Sequence, residues 1–225
     1  EDRAKMELSV VDALAAIHTV QPDRHDLSFL EPAPVTGPIT GGTALQRHLD
    51  WWDQYRSWAT ASQASPLLDA CFDWLRSTCP DNTKAALSWG DSRIGNMLFE
   101  DFEVSAVLDW EMAGVAPPEV DLGWLTYMHR FFQDLAEDMG MVGLPTMLTT
   151  TAVIDRYRAL TGYQPDDLRW YQAYAAMRHG IIMRRVTERA VRFGQAVRPD
   201  DPDDMILHRA TLRAMLDGSY WERLP

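Results

Sequence analysis

Residues 87–111, LSWGDSRIGNMLFEDFEVSAVLDWE, carry the reading of this chain. Two short apolar runs, Met97-Leu98-Phe99 and Val104 to Leu108, flank Glu-Asp-Phe-Glu. That pattern predicts two buried strands joined by a tight turn. A polar loop with Asp91 and Asn96 precedes the first strand, and Asp109 follows the second, so the hairpin returns Asp109 towards the loop. One carboxylate to orient a hydroxyl, with an amide and a second carboxylate to hold a cation against phosphate oxygens, is what phosphoryl transfer needs. Mg²⁺ takes hard oxygen ligands and keeps several waters, so two protein ligands suffice. Asp91 is therefore the candidate catalytic carboxylate. Asn96 and Asp109 are candidate ligands for Mg²⁺ and for the nucleotide it would bridge. Arg93, two residues past Asp91, is placed to reach a transferring phosphate, and Glu111 is a candidate water-mediated metal contact.

Each piece has a plainer meaning when taken alone. Gly-Asp is a turn signal, and Asp-Trp-Glu after an apolar run is a strand leaving the core. The order and the hairpin-length spacing give the set its weight.

Outside this stretch the chain reads as mostly helical. Leu8, Val11, Leu14 and Ala15 recur at helical spacing in a first helix that Pro22 should end. Residues 31–42 hold too much Pro and Gly for regular structure. Thr43 should cap a Trp-rich helix. Ser65-Pro66 supplies an N-cap and a first-turn proline for the next, which runs to Pro80. After Ala116-Pro117-Pro118 the spacing is helical again, with further helices expected at about 146–161, 166–193 and 203–217. The acidic run Asp200 to Asp204 suits a helix N-terminus, where the macrodipole favours negative charge. Trp124, Trp170, Met177 and Met183 read as core filler.

Composition narrows the partners. A chain of 225 residues, 46% hydrophobic and without low-complexity tracts, buries a substantial core. Its 33 acidic residues against 21 basic ones leave a net charge of −12, which argues against nucleic acid as a partner. No apolar run is long enough to cross a membrane, and a cytoplasmic location is expected. Cys71 and Cys79, roughly 12 Å apart if both lay on one helix, read as reduced thiols. His129 and His179 lack partners at ligand spacing. Arg184, Arg185, Arg189 and Arg192 form a basic stripe, read as internally paired, with an anionic substrate such as a CoA phosphate as the alternative.

Gly90, Asp91, Asn96 and Asp109 resemble, position by position, the catalytic core of the aminoglycoside phosphotransferase and choline kinase-like branch of the protein kinase-like superfamily. Trp89 stands where that family has histidine. The strings WGDSRIGN and LDWEMA are most similar to a bacterial subfamily related to the kinase-like domain of some acyl-CoA dehydrogenase fusions. The resemblance implies an α+β, mostly α fold over residues 1–225: the helical C-terminal lobe of a kinase-like protein with a small catalytic β-hairpin. It implies transfer of phosphate from ATP, with Mg²⁺, to the hydroxyl of a small molecule, and it makes Asp121 the brace beneath the loops. No stretch here reads as the family's β-rich N-terminal lobe, which is expected to be absent, and Lys5 and Lys84 are the only lysines. The chain is thus expected to be inactive alone and to expose apolar surface that favours a homodimer or a cover formed by its own 21–42 loop. Two other readings stand beside this one: a catalytically silent kinase-like binding module, and a metal-dependent hydrolase using Asp109 and Glu111.

Overall fold

The computed structural model describes residues 1–31 and 33–222. In chain order the elements are α1 (Asp2–Ile17), α2 (Ala44–Ala59), α3 (Pro66–Ser77), β1 (Ala86–Ser88), β2 (Met97–Glu100), β3 (Glu103–Val107), β4 (Gly114–Ala116), α4 (Pro118–Asp138), α5 (Thr150–Thr161), α6 (Leu168–Arg192), α7 (Arg209–Asp217) and α8 (Ser219–Glu222). This is the mostly helical α+β class that the resemblance implies. The chain divides into two compact units, one formed by residues 1–32, 43–45 and 82–172, the other by the remaining segments.

The first unit holds the decisive stretch. β2 and β3 pair antiparallel from Met97↔Val107 to Glu100↔Glu103. The two turn residues, Asp101 and Phe102, both have positive φ (48° and 65°), as a tight two-residue hairpin demands. The strands are less buried than expected: Leu98 is 52% exposed. A lone two-stranded ribbon has one face to bury, and this one lays that face on α1. Ser9 Oγ accepts from Val104 N at 2.7 Å, and Lys5 Nζ donates to Asp101 O at 2.8 Å. β1 and β4 form a second, three-residue ladder from Ala86↔Ala116 to Ser88↔Gly114. β4 lies beyond what the sequence pattern signals.

α4 begins at a Pro-Pro step and is buried without a break from Pro118 to Met128. At Gly123 a Cβ would sit 2.6 Å from Tyr171 Cβ, so only glycine lets α4 lie this close to the start of α6. α1 ends at Ile17, before Pro22, and His18 caps it in helical conformation, its N–H on Leu14 O and its ring turned inward to Asp121. α5 is held to α1 by two Arg156–Asp12 bonds of 2.7 Å.

In the second unit Ser65 caps α3 as its sequence predicts, accepting from Leu68 N at 3.3 Å. The acidic run departs from expectation. It makes a 3-10 turn, Pro202–Met205, and α7 starts only at Arg209. Asp203 is buried beneath α3 instead, where it accepts from Ser65 Oγ at 2.5 Å and Leu67 N at 3.3 Å. The orphan amides of α3 use its charge better than a solvent-facing helix start would. The segment around residues 35–37, expected as part of a mobile cover, is pinned to α2: Gln54 Oε1 accepts from the amides of Val35, Thr36 and Gly37. Of the basic stripe, Arg184 is fully buried and donates to the carbonyls of Gln63 and Pro202, and Arg185 stacks on Trp58 at 3.8 Å. These two meet the internal-pairing reading.

His208 is buried, donates from Nε2 to Ala176 O at 2.8 Å and stacks on His179 with centroids 4.4 Å apart. Burial pushes its pKa down to about 4, against a smaller upward pull from the Ala176 carbonyl. The unfolded chain therefore takes this proton first as pH falls, and stability contributed above about 6.5 is lost towards pH 4. Relative to His208→Gln, the natural protein should lose about 2 kcal/mol more between pH 7.5 and pH 5. Urea midpoints of the two proteins at those pH values check this.

Candidate active site

Asp121, in the first turn of α4, has no solvent exposure and accepts four bonds. Oδ1 takes Ser88 Oγ and Gly90 N, each at 2.9 Å, and Oδ2 takes Trp89 N at 2.7 Å and His18 Nε2 at 3.1 Å. Its main-chain carbonyl accepts from Ser92 Oγ at 2.7 Å. Burial alone would raise its pKa, but the bond and charge of His18 and the two loop amides outweigh it, holding Asp121 below the ordinary carboxylate value. A carboxylate only accepts, so His18 must carry its proton on Nε2; its Nδ1 meets Tyr157 Oη at 2.9 Å. The floor of the loop is thus a single buried carboxylate tying α1, β1 and α4 to residues 88–92.

Glycine is obligatory at position 90. Its φ is +91°, and a Cβ there would lie 2.1 Å from Met112 O. The sharp turn throws the Asp91 side chain into a pocket of donors. Asp91 Oδ2 accepts from Asn96 Nδ2 at 2.7 Å and Arg93 Nε at 3.1 Å, and Oδ1 accepts from Trp124 Nε1 at 2.8 Å. Asn96 Nδ2 also reaches Asp91 O at 3.2 Å. Both amide protons therefore face Asp91, and the side-chain oxygen of Asn96 is the atom available to a cation.

Asp109 is brought to the same loop by two links. Asn96 O accepts from Leu108 N at 2.8 Å, extending the hairpin ladder by one pair. The buried indole of Trp89 donates from Nε1 to Leu108 O at 2.9 Å and Asp109 O at 3.2 Å. Trp89, standing in the resembled family's histidine position, thus fastens the loop to the strand end. Asp109 itself is exposed and has φ +60°, a conformation an aspartate tolerates at a cost, and such strain collects at functional positions. Glu111 is exposed two residues on. Among the described residues no three His, Cys, Asp or Glu side chains gather as a metal cluster, so Asp91, Asp109 and Glu111 do not together form a carboxylate cage.

One functional contact escapes the sequence pattern. Trp124, read as core filler, is buried as expected but aims its N–H at Asp91. Its one available signal was its position three residues after Asp121 on a helix, which puts both on one face.

A model of the phosphotransferase enzyme family matches residues 1–188. The chain is 31% identical over 158 residues to acyl-CoA dehydrogenase family member 10 of Mus musculus, covering 65% of this chain and 14% of that protein. It is 32% identical over 132 residues to family member 11 of Rattus norvegicus, covering 57% of this chain and 16% of that one. It therefore spans about a seventh of the length of these relatives. A Ralstonia eutropha protein assigned as an aminoglycoside phosphotransferase superposes with a TM-score of 0.68 at 21% identity, covering 98% of this chain and 66% of that one. A macrolide 2'-phosphotransferase from Brachybacterium faecium gives 0.50 at 17% identity, covering 94% and 60%. These two likenesses establish a shared fold, the helical part of a kinase-like protein. With 188 of its 225 residues matched by the family model, the chain belongs to the phosphotransferase enzyme family.

Proposed function

We propose that this chain is the catalytic helical part of an ATP- and Mg²⁺-dependent enzyme that transfers phosphate to the hydroxyl of a small molecule. The observation that carries the proposal is the convergence on one braced loop of Asp91, with its donors, and of Asn96, whose carbonyl is tied to the strand end bearing Asp109. Asp91 receives the acceptor hydroxyl and takes up its proton. The guanidinium of Arg93, partly exposed beside Asp91, is available to the charge of the transferred group. The donor set fits Mg²⁺: the Asn96 side-chain oxygen and the Asp109 carboxylate are hard ligands, and Glu111 would act through water. Bound there, the metal supplies neutralisation of phosphate charge. The protein's own part is positioning and electrostatic complementarity, which the rigid loop floor provides.

The test is a screen of the intact natural protein with Mg²⁺ and γ-labelled ATP against hydroxylated metabolites. Hydroxyacyl-CoA esters belong in it because the relatives are acyl-CoA dehydrogenase family members, and aminoglycosides because of the structural neighbour's assignment. Label should move to an acceptor only with Mg²⁺ present. Phosphate release that needs no nucleotide would favour a hydrolase, and absence of any turnover a silent binding module. Asp109→Ala should raise the Mg²⁺ concentration for half-maximal rate at least ~10-fold, the lower end of what losing even an outer-shell partner costs. An unchanged Mg²⁺ requirement would remove Asp109 from the metal site.

A further inference from the structure

The carboxylate of Asp91 has about four acceptor positions. Asn96 and Arg93 fill both on Oδ2, and Trp124 fills one on Oδ1. One position remains, on Oδ1, next to the indole. Trp124 and Asp121 lie one turn apart on α4, which Gly123 allows to pack closely against Tyr171. The same rigid turn of helix thus holds the loop backbone, through Asp121, and the carboxylate side chain, through Trp124.

We propose that Trp124 is a positioning residue that locks the Asp91 carboxylate in one rotamer and leaves Oδ1 as the oxygen that accepts the acceptor hydroxyl. The inference rests on the phosphotransfer reading above and extends it. Without the indole N–H, the carboxylate is held from the Oδ2 side alone and swings about that anchor. Oδ1 then has no fixed place, and in a transfer that depends on alignment a displacement of about 1 Å costs on the order of 10²-fold.

Two measurements on the intact natural protein decide it. The first is ADP release from Mg·ATP, with water in place of the acceptor. Trp124→Phe should lower kcat on the order of 10²-fold while KM for ATP stays within about twofold, because Trp124 acts on Asp91 and not on nucleotide binding. A kcat within about threefold of the natural protein overturns the proposal, and so does a fall fully accounted for by loss of folded protein. The second is hydrogen exchange of the Trp124 indole proton, its resonance assigned from through-space contacts in the natural protein. Protection should drop at least ~10-fold in Asp91→Ala, and unchanged protection overturns the clamp. If Trp124→Phe does not fold, the exchange measurement decides alone. A natural protein that moves no label to any acceptor with Mg²⁺ present would instead defeat the phosphotransfer reading, with the indole still reporting on the clamp.

Discussion

Asp91→Asn should lower turnover of the intact protein at least ~100-fold, the low end for loss of a general base, with KM for ATP little changed. The substitution is nearly isosteric, so the loop keeps its shape while the chemistry changes. Asp91 sits among three N–H donors, from Trp124, Arg93 and Asn96, and as a carboxylate it can accept from all of them. An asparagine brings two donors of its own into that ring. If its NH₂ faces Arg93 and Asn96, two donors oppose it; if it faces Trp124, the position meant for the substrate hydroxyl becomes a donor too. In neither orientation can the side chain take up a proton. Initial rates over a range of ATP concentrations measure the effect, and near-normal turnover would take the catalytic assignment away from Asp91.

The parts of this arrangement that could be read in advance are those a local pattern encodes. Hairpin spacing placed Asp109 beside the Asp91 loop, and the ladder bond from Leu108 to Asn96 is the physical form of that spacing. Ser65-Pro66 announced a helix start because an N-cap hydroxyl and a first-turn proline act within four residues. What stayed hidden depends on contacts far apart in sequence. Trp124 is separated from Asp91 by 33 residues, and a buried tryptophan at helical spacing looks the same whether or not its N–H meets a carboxylate. β4 is three residues long and exists because β1 lies beside it. The hairpin strands were expected to be buried because each carries a short apolar run beside the turn. Instead β2 alternates, with Met97 inward and Leu98 outward, and the bulge leaves Ser105 of β3 unpaired opposite the Leu98–Phe99 step. The acidic run at 200–204 follows the same rule. Its charge matched two helix starts, and the three-dimensional neighbour took Asp203 in preference to the sequential one.

Asp121→Asn should cost about 3–5 kcal/mol of folding free energy, the range for breaking a buried charged network by removing one partner. Each oxygen of Asp121 accepts from two donors: Ser88 Oγ and Gly90 N on one side, Trp89 N and His18 Nε2 on the other. An amide NH₂ on either side would face a main-chain N–H and a second side-chain donor. Ser88 can rotate its hydroxyl proton away, so the better orientation of the asparagine still leaves one backbone amide of the loop unsatisfied and buried. Against a total stability of about 5–15 kcal/mol, the loss is enough to melt the loop locally before the whole unit unfolds. Hydrogen exchange should therefore show the Trp89 and Gly90 amides losing protection first, with urea unfolding giving the global cost. The acid limb carries an independent signature. The pKa of Asp121 is held below its unfolded value, so its contribution is present at neutral pH and is lost as pH falls through the folded value; Asp121→Asn should flatten that part of the stability curve. A cost under about 1 kcal/mol, with both loop amides still protected, would mean that the loop is held by the β1–β4 ladder and that Asp121 is a passenger. The four bonds converging on a fully buried carboxylate place the brace at Asp121, because a three-residue ladder fixes Ser88 at its end and nothing beyond it, whereas Trp89, Gly90 and Ser92 are all held from α4.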